Sequence, residues 1–250
     1  MPAATSYVRL EKNDKHALLT RTIARCARRT ASESPVIVFD LDGTLMDNRP
    51  RTCAIFKELG ESVRTKLPEV HKKLVDVTPT KLAYLVGDSL RKLGIDHPEF
   101  IAEAEKFWKE RFFYDDYLRY DVAVPGSVEF ARECYAAGGI LVYLTGRDLP
   151  NMGIGSWRSL RDLGFPIGVA GTELVLKPDF DTPDEVFKRE YAPRIERVGN
   201  IVAAFDNEPA NCNLLLEQNP GSESIFLDTQ HVPGAPALHP DVHIIDDFIA

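Results

Sequence analysis

Asp40 and Asp42 stand one residue apart at the end of the run PVIVFDLDGTLM. Side chains alternate along a strand, so an extended backbone points both carboxylates the same way. Two neighbouring carboxylates repel, and burying them is costly without a partner. The pair is therefore either a solvated turn or part of a cation site. Mg²⁺, which prefers oxygen ligands, would relieve the repulsion. Gly43 permits a tight exit from the strand, and Thr44 can bond the local backbone. Asp-x-Asp-Gly also resembles part of a calcium loop, which needs a glutamate twelfth from its first aspartate. Arg51 stands there instead, which argues against calcium.

Other apolar runs also end in polar residues. ILVYLTGR delivers Thr145, Gly146 and Arg147, and NIVAAFDNE delivers Asp206, Asn207 and Glu208, with Asn211 close behind. Around them the pattern alternates. SVEFARECYAAGG, WRSLRDLGF, FKREYAPRIERVG and ANCNLLLEQN read as helices; ILVYLTGR, PIGVAG, NIVAAFDNE, SIFLD and VHIID read as strands. Such alternation predicts an α/β fold, a Rossmann-like three-layer core with a parallel sheet. In these sheets ligands bind beyond the carboxyl ends of the strands. That rule would bring Asp40, Asp42, Thr145 and Asp206 into one crevice.

Two stretches stand outside the alternation. Leu19, Ile23, Cys26 and Ala27 share one face of a helix expected over 14–29, which TASESP then breaks. Between 52 and 119 three helical patterns follow one another with no strand: Ile55 to Leu67, Leu82 to Leu93, and Phe100 to Phe112. They predict a helical domain over 48–119 inserted into a core formed by 1–47 and 120–250.

Composition bounds the partners. The 250 residues are 44% hydrophobic and 27% charged, with net charge −8, which gives no support for a nucleic-acid footprint. Residues 49–119 hold 14 Lys/Arg against 12 Asp/Glu, so the acidity lies elsewhere, as solvated surface or a cation site. The four cysteines are scattered without CxxC, which predicts reduced thiols. No apolar run approaches membrane-spanning length, and the N-terminal residues are too polar for a secretory leader. The expectation is a cytoplasmic protein without a membrane partner, its oligomeric state undetermined.

Taken in order, FDLDGTL, LVYLTGR, a lysine between 177 and 188, and FDNEPAN resemble the four motifs of the haloacid dehalogenase superfamily, phosphatase branch. The resemblance spans nearly the whole core. It implies a Mg²⁺-dependent phosphatase acting on a small phosphorylated metabolite. Asp40 would be the nucleophile forming an aspartyl-phosphate, and Asp42 the general acid and base. Thr145 would donate to a phosphoryl oxygen, and Lys188, or alternatively Lys177, would be the catalytic lysine. Mg²⁺ would be held by Asp40, the Asp42 backbone carbonyl and Asp206, with Asn207, Glu208 and Asn211 around it. Gly43, Thr44, Gly146 and Arg147 would line the phosphate, although Arg147 equally suits a salt bridge to Asp148 or Asp47. Asp47 and Asn48 fall where such folds have a mobile flap.

The fourth motif departs from the commoner pattern, with Ala210 and Asn211 where a second acid is usual. The insert would be a small four-helix cap, with Arg64, Lys66, Lys72, Lys73 and Lys81 among its recognition candidates. Three other readings remain: a phosphomutase or phosphotransferase, a receiver-like domain, or a non-catalytic phospho-ligand module. The TGRD turn also resembles phosphatase domains acting on polynucleotide ends, against the acidic balance.

Overall fold

The computed structural model describes residues 7–28, 30 and 33–249. The first six residues, the expected helix end at 29 and part of TASESP lie outside them. Helix α1 (Lys12–Cys26) buries Leu18, Leu19, Thr22 and Cys26. It leads to strand β1 (Pro35–Phe39), buried at every residue, and then to a two-residue strand β2 (Met46–Asp47). The helices α2 (Arg49–Val63), α3 (Pro68–Val75), α4 (Val86–Lys92) and α5 (Pro98–Phe112) follow. Strand β3 (Val122–Ala123) pairs antiparallel with β2, Met46 opposite Ala123. The two chain crossings into and out of the helical insert are thus held side by side.

Beyond β3 strands and helices alternate: α6 (Ser127–Ala136), β4 (Ile140–Asp148), α7 (Leu149–Leu163), β5 (Thr172–Lys177), α8 (Asp184–Ile195), β6 (Asn200–Asp206), α9 (Pro209–Gln218), β7 (Glu223–Leu227) and β8 (His243–Ile245). The main sheet has six strands in the order β5-β4-β1-β6-β7-β8, and every pairing is parallel. The period of two divides the apolar residues between its faces. Ile37, Phe39, Leu141 and Tyr143 pack with Leu18 and Leu19 of α1 and Phe130 of α6. Val36, Val38, Val142 and Leu144 pack with Phe187 of α8 and Leu215 of α9. Burial on both faces explains why these strands read as continuous apolar runs. Each such side chain contributes on the order of 1.5–3 kcal/mol.

The insert has its own apolar cluster, which includes Phe56, Leu59, Leu74, Leu90, Ile101 and Ala104. Its boundaries differ from the sequence reading for local reasons. The Ile55-to-Leu67 pattern stops at Val63, because Pro68 disfavours helical backbone at Leu67 and opens α3 instead. The Leu82 pattern becomes helical only at Val86, since Leu82 and Leu85 are extended. PIGVAG is not a strand: Gly168 and Gly171 adopt positive φ, and β5 begins after them at Thr172. The four cysteines are buried and free. Among the described residues, no helix is long and apolar enough to cross a membrane.

Candidate active site

Strands β4, β1 and β6 are neighbours in the sheet, so their carboxyl ends converge. Asp40 follows β1, Thr145 lies in β4, and Asp206 ends β6. The Asp40 amide donates to the Phe205 carbonyl at 2.9 Å, which ties the first motif to β6. Lys188 comes from α8, and its buried ammonium lies 2.7 Å from Asp40 Oδ1 and 2.7 Å from Asp206 Oδ2. The Thr44 hydroxyl lies 3.2 Å from Asp40 Oδ2 and 3.3 Å from Asn207 Oδ1. Asp206 Oδ1 accepts the Glu208 amide at 2.9 Å and Asn211 Nδ2 at 3.1 Å. Thr145 is buried, and its hydroxyl accepts the Arg147 amide at 3.3 Å.

Two glycines are required by contact. Gly43 has φ +80°, and the Asn207 amide fills the space a Cβ would need. At Gly146 the Asp184 carboxylate fills that space. Glu208 turns its carboxylate outward, accepting the Val232 amide at 3.1 Å and the Tyr84 hydroxyl at 3.3 Å. Burial, with Asp206 nearby, pushes it up to about 7. Lys177 does not reach the carboxylates of the centre. Its ammonium donates to the Thr182 carbonyl at 2.9 Å and pairs with Asp184 at 2.8 Å.

Arg147 lies in neither of the ion pairs considered for it from sequence. Its guanidinium bonds Asp42 at 2.6 Å through Nε and at 2.9 Å through Nη2, and Asp121 at 2.8 Å. The third nitrogen, Nη1, faces Ser156 Oγ at 3.3 Å, so all three nitrogens are engaged by protein groups. Arg51 completes the cluster, with Nη2 at 2.7 Å from Asp42 and Nε at 2.8 Å from Asp121. Its Nη1 donates to the Phe112 carbonyl at 3.2 Å. The Arg51 and Asp121 side chains are both 0% exposed. Two arginines thus meet two aspartates, joining α2 of the insert to the first and second motifs. Asp47, expected beside a flap, instead pairs with Arg49 at 2.8 Å, while the Asn48 amide donates to Asp42 at 3.2 Å.

The two motif aspartates are driven apart electrostatically. Burial pushes Asp40 up to about 7; Asp206 and Asp42 add to this and Lys188 opposes it. Burial would raise Asp42 too, but Arg147 and Arg51 hold it well below the usual carboxylate range. Lys188 stays protonated despite burial because Asp206 and Asp40 flank it. Between pH 3.8 and about 7 the folded chain keeps a proton on Asp40 that the unfolded chain has lost. Stability of the metal-free protein is therefore expected to fall as pH rises through that window and to level off above it. Thermal melts at graded pH check this; Glu208, also raised to about 7, adds a fall of the same sign, so in Asp40→Asn the slope should become shallower rather than disappear.

Among the described residues, no group of three His, Cys, Asp or Glu side chains is arranged to hold a metal. The set expected from sequence has only two carboxylates, Asp40 and Asp206, plus the Asp42 carbonyl. These residues fit a hard divalent cation. Two buried carboxylates face one ammonium, an excess of negative charge that a cation would offset. A cavity of about 740 Å³ opens above this centre, lined by core residues and by residues of the insert.

No family model matches this chain, nor does any curated protein. Solved structures do match. A candidate phosphatase from Clostridium difficile superposes with TM-score 0.50 at 15% identity, over 88% of this chain and 96% of that one. A predicted phosphoglycolate phosphatase from Haemophilus somnus gives TM-score 0.50 at 18% identity, over 85% and 94%. A haloacid dehalogenase-like hydrolase from Bacteroides fragilis gives TM-score 0.46 at 13% identity, over 84% and 95%. The parallel sheet flanked by helices, with Asp40, Thr145 and Asp206 at its carboxyl edge, is an α/β, Rossmann-like fold shared with the two structures at TM-score 0.50.

Proposed function

We propose that this chain is a Mg²⁺-dependent phosphatase that hydrolyses a small phosphomonoester through an aspartyl-phosphate on Asp40, with the helical insert as its cap. One observation supports this most. Lys188 touches both Asp40 and Asp206 at 2.7 Å, at the sheet edge where Thr145 also lies. A fixed ammonium offsets part of the carboxylate charge that a phosphate dianion would otherwise meet on approaching Asp40. The two neighbours at TM-score 0.50 are both described as phosphatases, which agrees with this reading.

Asp40 attacks phosphorus, the alkoxide leaves, and an acyl phosphate forms. Water then attacks the same phosphorus, returning Asp40 as carboxylate and releasing phosphate. Lys188 and Thr145 bind the phosphoryl oxygens in both steps. Mg²⁺, when bound by Asp40, Asp206 and the Asp42 carbonyl, supplies further neutralisation of the phosphate charge. Asp42 protonates the leaving alkoxide and then takes a proton from the water. To hold that proton it must first be released by Arg147 and Arg51. Arg51 rides on α2, so cap position and proton transfer are coupled.

The test is phosphate release from a panel of phosphomonoesters, with Mg²⁺ and with chelator. Release that needs the cation supports the reading; no release from any ester contradicts it. Transfer of the phosphoryl group to an added alcohol in preference to water would favour a phosphotransferase. The two lysines provide a separate prediction. Lys188→Met is expected to lower kcat by about 100-fold or more, the scale for losing one charge-stabilising donor. Lys177→Met is expected to cost far less, since its ammonium serves the Thr182 carbonyl and Asp184. Steady-state kinetics of both variants check this.

A further inference from the structure

The leaving group of any ester bound at Asp40 must occupy the cavity above it, and that cavity has a definite chemistry. Its acids outnumber its Lys and Arg residues by seven to four. Each of those four cations already has a carboxylate partner. Arg49 pairs with Asp47, Arg147 with Asp42 and Asp121, Lys177 with Asp184, and Lys188 with Asp40 and Asp206. Lys109, whose ammonium lies 5.2 Å over the Phe180 ring, is not a lining residue. Among the described residues no lining cation is unpaired, and Lys188 already serves the transferred phosphoryl group, so none is left for a second phosphate or a carboxylate on the substrate.

Aromatic rings supply much of the remaining wall. Trp108 and Phe112 of the insert stack with centroids 4.2 Å apart, and Phe113 meets both rings edge-on. Phe113 in turn meets Phe180 of the core edge-on at 5.1 Å, which carries the ring cluster across from insert to core. All four rings line the cavity and are only partly buried. Tyr84 and Leu85, which also line it, are 44% and 49% exposed. Large apolar side chains left open beside a catalytic centre are most simply explained by an apolar group that covers them. Ring stacking favours a flat one.

Resting on the phosphatase reading above, we propose that the substrate is a phosphomonoester whose leaving alcohol carries an uncharged aromatic or heteroaromatic ring, seated against Tyr84, Trp108, Phe113 and Phe180. Esters with an anionic leaving group, such as 2-phosphoglycolate or a hexose bisphosphate, are poor substrates.

The test compares kcat/KM for 2-phenylethyl phosphate and a purine nucleoside 5′-monophosphate with that for glycerol 3-phosphate and 2-phosphoglycolate. The first three release primary alkoxides, so their differences report binding rather than leaving-group chemistry. The expected result is at least about tenfold preference for one of the ring-bearing esters over both others. Tyr84→Ala, at an exposed position, and Phe180→Ala should each reduce that ratio several-fold. Equal or better turnover of glycerol 3-phosphate or 2-phosphoglycolate overturns the proposal and leaves the phosphatase reading standing. An unchanged ratio in both variants overturns the proposal in the same way. Turnover of no ester overturns both.

Discussion

Asp40→Asn is expected to lower kcat by about a thousandfold or more, the scale on which covalent catalysis fails when its nucleophile is removed. The amide keeps the volume of the side chain and a hydrogen-bond acceptor for Lys188, so folding should survive. It cannot form the acyl phosphate. Asp40 is 6% exposed and bonded to both Lys188 and Thr44, so water has no easy substitute position from which to attack phosphorus. Phosphate release by the purified variant, beside a melt showing that it is folded, gives the result. Retention of more than about a tenth of the activity would remove Asp40 from the chemistry.

Asp121→Ala is expected to destabilise the fold by about 3–5 kcal/mol, because it leaves two buried arginines against the single carboxylate of Asp42. Its side chain is 0% exposed and receives Arg51 at 2.8 Å and Arg147 at 2.8 Å. In a chain of this length that corresponds to a fall in Tm of about 10 °C. Replacing both partners, as in Arg51→Met with Asp121→Leu, should recover much of the loss, since a buried pair is costly to break yet often neutral to exchange for apolar groups. Denaturant melts of the three proteins check the ordering. A single Asp121→Ala within about 1 kcal/mol of the parent would mean that the cluster is hydrated and contributes little.

The first motif is legible because its chemistry is local: an apolar strand, two acids, a glycine and a threonine occupy consecutive positions. The convergence of Thr145 and Asp206 on it follows from the alternation of strands and helices, because a parallel sheet gathers carboxyl ends at one edge. Lys177 and Lys188 could not be separated by spacing alone. What separates them is the turn after β5, where the Phe180 and Thr182 carbonyls take up the first ammonium while α8 points the second inward. Arg51 entered the sequence reading only as a residue unfit for calcium. Its signal was present: it shares a helical stripe with Ile55 and Leu59, so a charge stands on a buried face and needs a buried partner. Asp121 carried no such signal, being an acid after a stretch rich in charges and tyrosines. The insert's helices were legible from periodicity, and their ends were not, because Pro68 and the extended Leu82–Leu85 segment decide them locally.

The central claim is that phosphate passes through Asp40. Its most direct test is to acid-quench the protein during turnover with Mg²⁺ present, digest it, and locate any phosphoryl group by mass spectrometry. A phosphoryl group on the peptide containing Asp40, labile to hydroxylamine and absent from Asp40→Asn, is the predicted result. Mg²⁺-dependent turnover with no label at Asp40 under rapid quench, and undiminished in Asp40→Asn, would contradict the account.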